Sequence, residues 1–200
     1  MVAGGAAAYP LVAQGLVGAP VRGVAGPGPT GALRGVPGRH ERAGAGQGGW
    51  RKRGARRNAL GRSRGGFGTK ACTICDAFGR AVAFAVLPGQ GHELTTAPAL
   101  LGVAAGLGGV TRVVCDRGYS SAPWRSHIRS LGAEPVVPAN PTHPAVPYDK
   151  AAYRRRHRVE NLWARLKEWR ALATRYDKTA ASFLGTIYLA AALDWLHNRA

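Results

Sequence analysis

Apolar and polar positions fall into a readable pattern only in the second part of the chain. Residues 70–75 and 82–87 alternate or run apolar on either side of Asp76-Ala77-Phe78-Gly79, which predicts a β-hairpin. Residues 94–107 form an Ala/Leu-rich run ended by glycines, which predicts a helix. Residues 111–115 predict a buried strand that stops at Asp116-Arg117-Gly118. A helix over 122–131 with Gly132 as its cap follows, then a short strand over 134–138. Pro138, Pro141, Pro144 and Pro147 mark the next stretch as a loop. Two helices close the chain, a long basic one over 150–174 and an apolar one over 179–197. Hairpin, helix, strand, helix, strand and then helices imply an α/β sandwich on a mixed sheet.

The first part reads differently. Composition shifts near residue 66, and residues 1–69 hold 19 of the 29 glycines with a single acid, Glu41. No period of 2 or 3.6 persists there, so a packed core cannot offset the ordering entropy. Residues 1–60 are therefore expected to be a disordered Gly/Pro/Arg-rich segment, and residues 61–200 the folded domain. A basic run over 51–64 has the composition of a solvated tail or of an arm lying on phosphates.

Charge narrows the class of partner. Lys+Arg 28 against Asp+Glu 10 leaves +18 over 200 residues. Phosphates reward such an excess through counterion release, so nucleic acid is the first partner to consider and a membrane surface the second. No apolar run approaches the roughly 20 residues that span a bilayer. The N-terminal apolar stretch lacks Lys and Arg and makes a poor secretory signal. Three cysteines, an odd number, argue against a disulfide framework and suit a reducing cytoplasm.

With ten acids in the chain, each can be weighed. Asp116 stands at the carboxyl end of a buried strand, where α/β folds present ligands. Its plainer role is a turn or helix cap. On a helix, Tyr153, Arg156, Glu160 and Lys167 fall within one arc, while Val159, Leu162, Leu166, Trp169 and Ala173 form the core arc. A Glu ringed by cations is also what an ordinary i,i+4 surface pair looks like. Spacing alone leaves both open.

The combination Tyr153-x2-Arg156-x3-Glu160-x6-Lys167 resembles the Y-(2)-R-(3)-E-(6)-K signature of bacterial insertion-sequence transposases of the DDE superfamily. Four further stretches are similar and in the same order: residues 61–70 (GRSRGGFGTK), Leu87-Pro88-Gly89-Gln90, Asp116-Arg117-Gly118-Tyr119 and residues 173–178 (ATRYDK). The resemblance covers about residues 61–197. It implies an RNase H-like mixed sheet flanked by helices and a DNA transposase that cleaves phosphodiesters and transfers strands at insertion-sequence ends. It also implies Mg²⁺ or Mn²⁺ held by three carboxylates, one ion activating water or a 3′-hydroxyl and the other stabilising the leaving oxygen. Asp116 matches the second carboxylate and Glu160 the third. Tyr153, Arg156 and Lys167 match the signature positions that orient the Glu and contact the DNA end, with Arg170, Arg175 and Lys178 as added phosphate contacts. The implied partners are double-stranded DNA, at transposon ends and target, and further copies of the chain. The implied location is the bacterial cytoplasm, on the nucleoid.

In this family the first carboxylate lies on the strand before the Ser-Arg-Gly-Gly motif. Here the only acid before residue 61 is Glu41, with no apolar strand around it. Asp76, after the motif, reads as a turn residue. The composition of residues 1–49 resembles GC-rich DNA translated in a non-coding frame, so a truncated or frame-disrupted transposase is expected, with activity in doubt for lack of the first Asp. The alternative is a non-catalytic basic DNA-binding protein descended from a transposase. Smaller signals carry less. Cys72 and Cys75 would point to opposite faces of a strand, which argues against zinc. The histidines show no i,i+4 pair, and no Gly-x-Ser-x-Gly elbow occurs. Trp124, Trp163, Trp169 and Trp195 read as helix-packing residues, Trp163 lying between two faces.

Overall fold

A computed structural model describes residues 12–14, 19–23, 58–63, 66–142 and 144–197. Among the described residues eight strands form one mixed sheet: β1 (Val12–Gln14), β2 (Ala19–Gly23), β3 (Gly61–Ser63), β4 (Gly66–Cys75), β5 (Ala81–Pro88), β6 (Arg112–Val114), β7 (Glu134–Val136) and β8 (Thr174–Arg175). The helices are α1 (Ala97–Gly106), α2 (Ala122–Ser130), α3 (Lys150–Arg154), α4 (His157–Lys167), α5 (Arg170–Ala173) and α6 (Ala180–His197). The long strand β4 pairs antiparallel with β5, β3, β2 and the end of β1. β1 lies between β4 and β6, running antiparallel to the first with Gln14 opposite Cys75 and parallel to the second with Val12 opposite Arg112. β6 continues in parallel to β7, and β2 to β8.

Side-chain alternation along β4 builds two cores. Cys72 and Ile74 join Leu101 of α1 and Trp124 and Ile128 of α2 on one face. Ala71 and Cys75 join Val159, Leu162 and Leu166 of α4 and Phe183 and Ile187 of α6 on the other. The cysteine pair is thus split between opposite faces, as the strand period requires. The mixed sheet flanked by helices is the architecture expected from the order of elements.

The β4–β5 hairpin turns on Asp76. Its Oδ1 accepts from the backbone N–H groups of Phe78 and Arg80, both at 2.9 Å, and its Oδ2 from Arg80 Nε at 2.7 Å. Gly79 closes the turn at φ +81, a conformation that favours glycine. The two glycine-containing motifs at 61–70 and 87–90 meet: a Cβ on Gly89 would stand 2.8 Å from the carbonyl oxygen of Gly61.

Three expectations are corrected. First, the sheet draws β1 and β2 from within residues 1–60, which were expected to stand apart from the fold. The rest of that segment up to residue 57, Glu41 included, lies outside the described residues. A strand slot beside β4 and β6 is filled by backbone hydrogen bonds, so three to five extended residues suffice without any side-chain period.

Second, the helix expected over 150–174 is three helices. Between α3 and α4 the hydrogen bonds tighten to i→i−3, from Arg155 N–H to the Ala152 carbonyl through Val159 N–H to the Arg156 carbonyl. After α4, Trp169 is extended (ψ 110), and beyond α5 the chain leaves helix altogether so that β8 can join β2. Third, these breaks change the phase of the side chains. Trp169 is 44% exposed and Ala173 is exposed, although both were expected on the core face. Trp163 is buried, edge-on to Phe84. Among the described residues no helix is long and apolar enough to cross a membrane.

Candidate active site

β6 delivers Asp116. Val113, Val114 and Cys115 are buried, and the strand ends where Asp116 caps a short 3-10 turn over Arg117–Tyr119, accepting from Gly118 N–H at 2.8 Å. The carboxyl is half-buried, and burial is the largest cause raising its pKa above the ordinary Asp value. Glu93 adds to the rise, while the Gly118 N–H and Arg156 oppose it.

Glu93 is the residue that sequence reasoning missed. It accepts from the buried Tyr119 hydroxyl at 2.7 Å and pairs with Lys70 Nζ at 3.3 Å. Lys70 also donates to the Gly91 carbonyl at 3.0 Å. The signal was present, since Glu93 follows three residues after Leu87-Pro88-Gly89-Gln90. Burial, then Glu93, pushes the Tyr119 phenol up, so it stays a donor.

The helical half of the site is set by α3 and α4. Asp149 caps α3, accepting from Ala151 and Ala152 N–H at 2.8 and 2.9 Å. Tyr153 packs against the small cluster of Val114, Val136 and Ala152 and meets Tyr148 edge-on at 5.5 Å. That packing ties the helix to β6 and β7. Arg156 stands where α4 begins, its guanidinium 5.9 Å from the Tyr153 ring centre and its Nη2 2.6 Å from Glu160 Oε1. Arg156 therefore links the two carboxylates: it forms an ion pair with Glu160 and acts electrostatically on Asp116. Arg165 fixes α4 to α6 through Asp194 at 2.7 and 3.0 Å and to the hairpin through the Gly79 carbonyl.

The proposed cationic contacts separate into two kinds. Lys167, Arg170 and Lys178 are exposed. Arg175 is buried, donating to the carbonyls of Asp177 and Ala59 and to the Thr69 hydroxyl, with Phe183 under its guanidinium. It was expected to touch DNA phosphate, but it is buried, with Nε and Nη1 donating within the protein and Nη2 without a hydrogen-bond partner among the described residues, and it anchors β8.

A family model described as a transposase DDE domain matches residues 113–197, which span β6, Asp116, Glu160 and α6. A Brucella ovis protein named as a transposase for insertion sequence element IS6501 is 35% identical over 130 residues, 64% of this chain and 98% of that protein. The chain belongs to the DDE transposase family. The family is one of DNA transposases, so the chain's kin are enzymes. Two solved structures are more remote. The catalytic core of BIV integrase aligns with a TM-score of 0.44 at 14% identity, over 66% of this chain and 77% of that one. A chain of the simian T-cell lymphotropic virus intasome, in complex with a PP2A regulatory subunit, aligns at 0.42 and 14%, over 70% and 45%.

DDE transposases use divalent metal ions. Here Glu160 is paired with Arg156, Glu93 with Lys70 and the Tyr119 hydroxyl, and among the described residues no group of three or more His, Cys, Asp and Glu side chains is arranged to hold a metal ion. A three-carboxylate metal pair does not fit this donor set.

Proposed function

We propose that this DDE transposase retains the DNA-binding surface of its family but lacks the first of the three carboxylates that cleavage requires. The observation that carries the reading is the identity of β1. This strand lies against β6, whose end presents Asp116, and it consists of Val12, Ala13 and Gln14. No Asp or Glu occurs anywhere in this chain before Glu41, so no shift of register along β1 and β2 supplies a carboxylate. Asp76 is not a substitute, because its oxygens are taken by Phe78 and Arg80 in the hairpin turn.

Double-stranded DNA is the partner that the charge favours. Net charge is +18, and Lys167, Arg170 and Lys178 are open to phosphates. Tyr153 and Arg156 then hold Glu160 in place rather than contact DNA directly. Self-association and residence on the bacterial nucleoid in the cytoplasm belong to the same proposal.

The test is nicking of supercoiled plasmid in Mg²⁺ or Mn²⁺ by the native chain, Asp116→Ala and Glu160→Ala, beside duplex binding at several salt concentrations. The expected outcome is no metal-dependent nicking and equal, salt-sensitive binding by all three. Nicking that requires metal and vanishes in both variants would overturn the reading and point to a third ligand.

A further inference from the structure

The segment from Lys167 to Lys178 carries a feature that phosphate binding does not explain. Trp169 is 44% exposed and Tyr176 59%. Among the described residues neither ring makes an aromatic or cation–π contact, unlike Phe84, Tyr119 and Trp124. Single exposed apolar side chains are ordinary on a protein surface, but two large aromatic rings on one short basic segment are more than scattered exposure.

Their presentation is rigid. Leu172 and Arg175, three residues apart, are buried at 2% and 3% and fasten the segment to the body of the protein. Thr174 and Arg175 are further held in the sheet by β2. On either side of these anchors the chain turns Trp169 and Arg170, then Tyr176 and Lys178, outward. Two flat rings are thus interleaved with the cations Lys167, Arg170 and Lys178.

A ring held rigidly beside cations matches a nucleotide, whose base offers a π-face and whose phosphate offers charge. In intact duplex each base is already stacked on its neighbours, so the rings are left for unpaired bases. We propose that Trp169 and Tyr176 form a stacking platform for unpaired bases at a DNA end, with the strand's phosphates following Lys167, Arg170 and Lys178. The proposal rests on the DNA-binding reading above and adds a preference for single-stranded extensions.

The test measures binding to a blunt duplex, to the same duplex with a 3′ single-stranded extension, and to the extension alone. It uses the native chain, Trp169→Ala/Tyr176→Ala and Trp169→Phe. The double variant is expected to lose about tenfold or more on the two substrates with unpaired bases. It should stay within about twofold of native on blunt duplex, which also reports that the fold is intact. Trp169→Phe, which keeps a flat ring, should retain most of the affinity. Quenching of native indole emission by the single strand, absent in Trp169→Phe, is the spectroscopic counterpart. Equal binding of native and double variant to the extended duplex overturns this inference alone. Absence of salt-sensitive binding to any of the three DNAs by the native chain overturns the DNA-binding reading as well.

Discussion

Asp76 and Asp116 occupy similar positions and have different fates. Each follows a strand of the same sheet and accepts a backbone N–H within the turn that comes next. At the hairpin end, Asp76 is fully engaged by two backbone N–H groups and by the Arg80 guanidinium. At the end of β6, Asp116 receives one N–H from its own turn, stays half-buried, and has its pKa raised. Turn position alone does not separate a fully engaged carboxylate from one left with spare capacity; the separation lies in how much of the carboxylate the turn uses.

This contrast can be broken by substitution. Asp76→Ala should cost about 2–4 kcal/mol in urea unfolding, because it strands two hydrogen-bond donors and a guanidinium. Asp116→Ala should stay within about 1 kcal/mol of native, since one turn hydrogen bond is lost and a half-buried charge is removed. A larger loss for Asp116 than for Asp76 would reverse the assignment. The same logic divides the cations. Replacing Lys167, Arg170 and Lys178 by Ala should flatten the salt dependence of duplex binding by about 3 in log–log slope, about one per phosphate contact. Arg175→Ala should leave that slope unchanged and instead lower stability in the unfolding assay.

Asp149 sharpens the comparison from the side of pH. Two N–H groups of α3, then Arg112, hold its pKa below the ordinary value, with burial opposing. A depressed carboxylate pKa stabilises the fold above the unfolded value of about 3.9, and the contribution fades as pH falls below it. The stability advantage of native over Asp149→Asn should therefore be present at neutral pH and shrink below about pH 4. The smallest effect concerns thiols: burial pushes Cys72 and Cys115 up to about 12. Neither should react with iodoacetamide at pH 8 until the protein is unfolded, as mass spectrometry of the alkylated chain would record.

The sequence made the second core and the placement of Asp116 and Glu160 on their elements visible because both depend on local pattern. Hairpin, α2, β6 and α6 are each announced by period, turn residues or a capping glycine, and Asp116 by its place after a buried strand. What escaped has non-local causes. The breaks around Arg155 and Trp169 carry no Pro or Gly; they arise because Leu172 and Arg175 must reach the body of the protein and β8 must reach β2. Trp169 was consequently placed inside and stands outside. Arg175 looked like any basic residue of its motif, and nothing in its neighbours reveals that Thr69 and Ala59 lie against it. β1 and β2 were unreadable because strand pairing asks so little of three or five residues.

That last point reaches beyond this chain. A slot in a sheet is read by the backbone, which every amino acid except proline supplies almost alike, whereas a metal ligand is read atom by atom. Val-Ala-Gln can therefore keep the middle of the sheet closed while contributing nothing to the chemistry beside it. In such a family shape and catalysis decay on different clocks. If the proposed loss of the first carboxylate holds, one scrambled stretch would silence the enzyme while leaving a folded protein able to occupy the ends that an intact copy needs.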